Sequence, residues 1–177
     1  RLKRYEPVSA TLRLPRDPRP SATANRVDTP LDIVLPSAPG RGTAAGWSTV
    51  TVEVAQPDGR PIRGALVQVL DAGGSNERGW TLTGARGQSV VPLVGLPKQR
   101  DIVTPDDDDP DPDPQVATVT ALTSLDVRVT ADILQTWPAR PDLLRAGGAN
   151  TRTTTSSNSV QLVAGGDAFL SVTLDLS

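Results

Sequence analysis

The chain of 177 residues contains no cysteine, no histidine and no methionine. Without thiols there is no disulfide framework, and the redox compartment cannot be read. Zn²⁺ sites draw mainly on Cys and His, so no thiolate or imidazole cage can form. A histidine-based catalytic triad is excluded within the chain for the same reason. Lysine is scarce: Lys3 and Lys98 are the two exceptions in an otherwise all-arginine set of 18 bases. That bias fits either GC-rich coding or arginine-built interfaces. Aromatic residues make up 3% of the chain, namely Tyr5, Trp47, Trp80, Trp137 and Phe169. A core must therefore be built from Val, Leu, Ile and Ala. No run of about 18 apolar residues is present, so nothing in the sequence predicts membrane insertion. The basic start lacks an apolar h-region, so no signal peptide is read there. The first residue is Arg1 rather than Met, as expected of a trimmed product or a fragment.

What is abundant points to strands and turns. There are 17 Pro and 15 Gly, spread along the chain. The central stretch runs from Trp47 to Pro97. Val50, Val52 and Val54 alternate with Thr51, Glu53 and Ala55, the period of a half-buried strand. Pro57-Asp58-Gly59 is a turn, because Pro presets φ and Gly accepts φ > 0. GALVQVLD is the next apolar run, Gly73-Gly74 breaks it, and Trp80 to Thr83 resumes it. Ala85-Arg86-Gly87 turns again before SVVPLVGL. This alternation predicts an all-β fold, an antiparallel sandwich.

The flanks differ. Residues 1–46 form an N-terminal arm and linker, and 47–177 form the sandwich. Within the arm, Val8 to Leu14 has strand alternation, and Pro7, Pro15, Pro18 and Pro20 limit pairing beyond it. Leu31 to Leu35 is a second short apolar run, and 36–46 is a linker by composition. Residues 1–30 carry Arg1, Lys3, Arg4, Arg13, Arg16, Arg19 and Arg26 against Glu6, Asp17 and Asp28. The net charge of −2 and pI near 5.1 do not suggest nucleic-acid binding.

Residues 101–114, DIVTPDDDDPDPDP, form an acidic loop insertion. Carboxylates at this density repel one another and hold the segment in water. A Ca²⁺ site at Asp106 to Asp113 is disfavoured, since an EF-hand needs Gly at its sixth position and Glu at its twelfth. Exchanging Asp106 to Asp113 for a short Gly-Asn turn should leave the melting temperature nearly unchanged, because loop length costs little. A melting temperature of the parent that rises with Ca²⁺ would show that the segment is a site.

Beyond the insertion, Val116 to Leu122 and Leu125 to Ile133 read as strands. Pro141 to Ala146 reads as one helical turn, with Pro first and Gly147 as stop. Asn150 to Asn158 reads as a loop. Val160 to Ala164 and Phe169 to Leu176 read as a closing hairpin, with Leu170, Val172, Leu174 and Leu176 on one face. The paired glycines read as turns. No Asp sits in an apolar run that would raise its pKa for acid–base work. The reading is therefore non-enzymatic and calls for no cofactor, catalytic residue or metal. Trp47 and Trp137 abut Gly and Pro at strand ends, where a Trp either packs at the rim or anchors a sugar or a partner.

Two resemblances rest on particular residues. Asp58, Gly59, Pro61, Ile62, Gly64, Ala65, Val67 and Val69, followed by Thr83, Gly87, Val91, Leu93, Gly95, Leu96 and Pro97, resemble the carboxypeptidase regulatory-like, or transthyretin-like, β-sandwich module. Gly84 departs from that pattern, which usually has an acidic residue there. The resemblance implies an Ig-like or transthyretin-like sandwich that binds or supports something else, and no activity. The arm residues Tyr5, Pro7, Val8, Leu12, Leu14, Pro15, Arg16, Pro18, Arg19 and Pro20, with Leu35 to Arg41, are similar to accessory proteins of bacterial phage-tail-like contractile injection systems. That implies a particle-associated structural protein whose partners are other protein subunits. The partner-binding residues expected are Tyr5, Leu12, Arg13, Leu14, Arg16, Arg19, Trp47 and Trp137. A cell-surface carbohydrate- or ligand-binding sandwich is the alternative.

Overall fold

The computed structural model describes residues 46–96, 122–156 and 159–177, together with the backbone of 100–104 and 115–119. The arm, the acidic residues 105–114, and with them Tyr5, Leu12, Arg13, Leu14, Arg16 and Arg19, lie outside the described residues.

The fold is all-β, two sheets packed as a sandwich with a single short helix among the described residues. The strands are β1 (Ser48–Ala55), β2 (Leu66–Asp71), β3 (Glu77–Leu82), β4 (Gln88–Leu93), β5 (Arg100–Thr104), β6 (Gln115–Val119), β7 (Thr123–Asp132), β8 (Thr151–Thr155), β9 (Val160–Leu162) and β10 (Asp167–Thr173); the helix is α1 (Pro141–Ala146). One sheet has the order β10-β1-β4. The other has the order β3-β2-β7-β8, with β9 also on β7, and β5-β6 is a separate hairpin. The inward faces meet in one aliphatic core: Val50, Val52 and Val54 from β1, Val67 and Val69 from β2, Val91 and Leu93 from β4, and Leu125, Val127 and Val129 from β7. Each such side chain contributes roughly 1.5–3 kcal/mol on burial. This is how a chain poor in aromatics builds a core.

The β2 strand is buried on both faces, as its run LVQVLD with five consecutive buried residues shows. Val67 and Val69 face the other sheet. Leu66 faces outward into a second cluster with Leu82, Ala139 and Leu144, against which Trp80 and Trp137 pack. The helix and the segment before it therefore form a partial third layer, and that layer shapes the candidate site.

Three readings from sequence are corrected here. The Thr/Ser-rich segment after Asn150 is not simply a loop: Thr151–Thr155 is β8, paired antiparallel with the end of β7. The closing hairpin is not formed, because β9 joins β7 while β10 joins β1 in the opposite sheet. The β1–β10 pair is also parallel, with Thr49 opposite Asp167, whereas the other strand pairs are antiparallel. The face of Leu170, Val172, Leu174 and Leu176 does pack on the core as expected. Asp101 to Thr104, read with the acidic segment, belongs to β5, so the acidic residues join the two strands of the β5–β6 hairpin. The helical turn begins at Pro141 and is stopped by Gly147, at φ 70°.

Candidate functional site

Two surface features stand out: a groove beside α1 and the outer edge of β10, which no described strand pairs. The groove lies where the third layer meets the end of β7. Asp132 closes β7, and its carboxylate accepts hydrogen bonds from the Leu134 amide (3.0 Å) and the Thr136 amide (3.3 Å). Burial alone would raise the Asp132 pKa. The Thr136 hydroxyl and the Leu134 and Thr136 amides outweigh it and hold the carboxyl below its ordinary value. This turn carries Gln135 at φ 48°, a left-handed conformation uncommon outside glycine. It projects Leu134 into solvent with 71% of its surface exposed. On the other side, α1 buries Leu144 and leaves Leu143 49% exposed. Between them is a groove of about 340 Å³, with Arg63, Ala139, Arg140 and residues 147–151 completing its walls.

The charge of the groove is uneven. The Arg63 guanidinium lies 3.6 Å from the centre of the Trp137 ring. Among the described residues no carboxylate is paired with Arg63. Arg140 donates from Nη2 to Asp142 at 2.9 Å, but its Nε is buried with no hydrogen-bond partner. Asp132, the acid of the wall, has both oxygens engaged by its own turn.

The tryptophans are placed differently from a sugar platform. Trp137 is half-buried in the second cluster, and Arg63 covers a face of its ring. Trp80 is also half-buried in that outer layer, and Arg145 covers it at 4.5 Å. Arg145 is held there by Glu77 at 2.7 Å, and Glu77 also accepts from Gln68 Nε2 at 2.5 Å. Each cation–π contact contributes about 0.5–2 kcal/mol. Trp47, ahead of β1, is 40% exposed. Trp47 and Trp137 are therefore not brought together into one site.

The second feature is the outer side of β10. In the parallel ladder, the Thr49 amide donates to the Gly166 carbonyl and the Leu174 amide to the Ala55 carbonyl. Ala168, Leu170 and Val172 consequently turn their backbone groups toward β1, while Asp167, Phe169, Ser171 and Thr173 turn theirs outward. Among the described residues no strand pairs with that outward row. Phe169 stands on it with 62% of its surface exposed.

The other edges of the two packed sheets are blunted. Pro92 interrupts β4, Glu77 and Arg78 charge β3, β8 carries Arg152, and β9 has three residues. Proteins use these devices against unwanted strand pairing. On β10 the one charge is Asp167, and it is tied to the Thr49 hydroxyl.

Sequence reading missed Arg63, Leu134, Arg140, Leu143 and Phe169. A signal existed for Leu143: in the single helical turn PDLLRA, two adjacent leucines cannot both face inward. Nothing in the sequence marks Arg63.

Among the described residues, no group of His, Cys, Asp and Glu is arranged to hold a metal ion. No helix among them is long and apolar enough to cross a membrane. No protein-family model matches the chain, and no curated protein matches it. A solved structure that is similar comes from a study titled "Conserved hydrophobic clusters on the surface of the Caf1A usher C-terminal domain are important for F1 antigen assembly". That chain is 16% identical, with 72% of this chain and 96% of that chain covered and a TM-score of 0.29. Superposition that loose carries no argument about this protein.

Proposed function

We propose that the chain is a non-enzymatic assembly module that docks into a larger protein particle by strand addition. The observation that supports this is the outer edge of β10, seven residues long, paired by no strand among the described residues and free of the blunting devices on the other edges of the two packed sheets. Adding a strand to such an edge satisfies backbone groups along its whole length, while side-chain positions set the choice of partner. On this reading the N-terminal arm, by its sequence pattern, would supply the added strand in a neighbour's sheet. Val8 to Leu14 alternates apolar and polar residues, and Arg13, Arg16 and Arg19 would engage a partner's carboxylates. The particle we infer is a phage-tail-like contractile injection system, on the resemblance of the arm. The carbohydrate-binding alternative is less well supported, because Arg63 and Arg145 cover ring faces of Trp137 and Trp80 that a sugar would need.

Ser171→Pro separates docking from folding. The Ser171 amide points away from β1, so its loss breaks no ladder bond, and edge strands tolerate proline there. The variant should melt within a few degrees of the parent, yet lose the subunits that co-purify with the tagged parent from cells that make it. Deleting residues 1–36 should leave a cooperatively folding sandwich that likewise fails to join its complex. Retention of the same subunits by both variants would refute the proposal. Failure of the truncated chain to fold would show that the arm belongs to the module's own core.

A further inference from the structure

The core is incompletely covered along β10. Ala168 and Leu170 face inward beside Val50 and Val52, yet they are half-buried where those two are fully buried. A further strand on that side would cover them with its own apolar row and satisfy the outward backbone groups of the edge. Resting on the strand addition proposed for this edge, we infer that the added strand is residues 8–14 of a second copy of this chain, paired antiparallel with β10.

The pairing follows from the two sequences. With Arg13 opposite Asp167, Leu12 meets Ala168, Thr11 meets Phe169, Ala10 meets Leu170, Ser9 meets Ser171 and Val8 meets Val172. Leu12, Ala10 and Val8 then extend the inward row, with large set against small at Ala168 and Leu170. Arg13 meets the one charge of the strand, an opposite-charge pair, and the Thr49 bond to Asp167 uses only Oδ1. Pro7 and Pro15, which have no amide to donate, fall opposite Thr173 and Gly165 and bound the ladder at both ends. Parallel addition does not achieve this. Arg13 opposite Asp167 would then throw residues 8–12 onto 162–166, outside β10 (Asp167–Thr173).

The linker length favours a neighbour over the chain's own edge. Thr49 lies opposite Asp167, so the arm joins the sandwich at the end of β10 where Leu14 would finish. A strand beside β10 stands two strand spacings, roughly 10 Å, from β1. The stretch from Pro15 to Trp47 has 33 residues, six of them proline. Such a linker spans about 30 Å when flexible and more where proline stiffens it. Linkage is most effective when linker and span match in length. Each copy gives an arm and receives one on a different surface, so the contact is head-to-tail and grows into a ring or a filament.

The test is sedimentation velocity on full-length chains. The parent should form oligomers that grow with concentration or close into a ring. Ser171→Pro blocks the edge and Thr11→Pro blocks the arm. Each alone should be monomeric, and the two mixed should form a heterodimer with one chain of each. The chain has no cysteine, so one pair can be introduced, Thr11→Cys on the Ser171→Pro chain and Phe169→Cys on the Thr11→Pro chain. Facing residues of this kind lie about 5.5 Å apart at Cα, within disulfide reach. Oxidation should link them at least tenfold faster than when Ser9→Cys, two residues off register, replaces Thr11→Cys. In the otherwise unaltered parent, Arg13→Asp should weaken association about fivefold, and Asp167→Arg in the same chain should restore it. A parent that stays monomeric at millimolar concentration, folded proline variants that form no heterodimer, or oligomers that persist in both would overturn the inference. Equal cross-linking through Ser9→Cys, or no rescue by Asp167→Arg, would overturn the register. If the parent is monomeric while Ser171→Pro still strips its co-purifying subunits, docking at β10 stands and the second copy as partner falls.

Discussion

Gly87→Ala should be among the most damaging single substitutions in the sandwich, with an expected loss of about 3 kcal/mol or more in urea unfolding. Gly87 sits at φ +72°, where any side chain is strained. The space is closed as well. An added Cβ would overlap the Val54 carbonyl oxygen and lie 3.0 Å from the Pro61 Cβ. Both neighbours are fixed: the Val54 amide donates to the Gly87 carbonyl at 2.8 Å, and the Val54 carbonyl accepts from the Ile62 amide at 3.0 Å. The β1 strand would have to move to admit one methyl group, and β1 is the central strand of its sheet. The same exchange at Gly59 meets nothing within 4 Å, although its φ is +85°. Gly59→Ala should therefore cost only the backbone term, about 1 kcal/mol. A loss at Gly87 no larger than at Gly59 would mean that the close approach to Val54 does not hold in solution.

This contrast also marks which parts of the fold were legible from sequence. Local signals were readable where one face of a strand is wet. Val50, Val52 and Val54 announce β1 by alternation, and Leu125, Val127 and Val129 announce β7. Turns were readable where a residue is needed for its backbone, as at Gly59, Gly87 and Gly147. Non-local pairing was not readable. The segment Thr151–Thr155 has no apolar residue and becomes a strand only because the end of β7 offers it a ladder, helped by the Thr130–Thr153 hydroxyl contact at 3.0 Å. The parallel β1–β10 pair joins residues more than a hundred positions apart, and the glycines at 165 and 166 mimic a hairpin turn while serving a crossover between sheets. The groove was invisible for a related reason: its walls come from Arg63, the turn after β7 and α1, and only the fold brings these together. Of the expected partner-binding residues, Trp137 lies against that region through Arg63, and Trp47 stands apart.

Thr83→Val should destabilise the sandwich by roughly 2–4 kcal/mol, although it changes neither the shape nor much of the volume of the side chain. Thr83 is fully buried. Its hydroxyl donates to the Ile62 carbonyl at 2.6 Å and accepts from the Ala65 amide at 2.9 Å. Its backbone completes the same knot, since the Thr83 amide donates to the Ala65 carbonyl and the Thr83 carbonyl accepts from the Gly64 amide, each at 2.9 Å. The hydroxyl thus fills the gap left where the chain bends through Gly64, at φ +73°, on its way into β2. Valine removes both bonds and strands a buried N–H and a buried C=O, each costing about 1–3 kcal/mol, so the penalty comes from the unpaired groups more than from the lost hydroxyl. Thr83→Ser keeps the hydroxyl and loses one methyl group, and should cost only about 1 kcal/mol. The melting temperatures should therefore rank parent, Ser, Val. The bend also places Gly64 against Ala139 and Trp137. The valine variant should accordingly change the fluorescence of Trp137, observed with Trp47 and Trp80 replaced by Phe, before global unfolding. If valine proves as stable as serine, the Ala65 amide and the Ile62 carbonyl find other partners, and the bend does not depend on the hydroxyl.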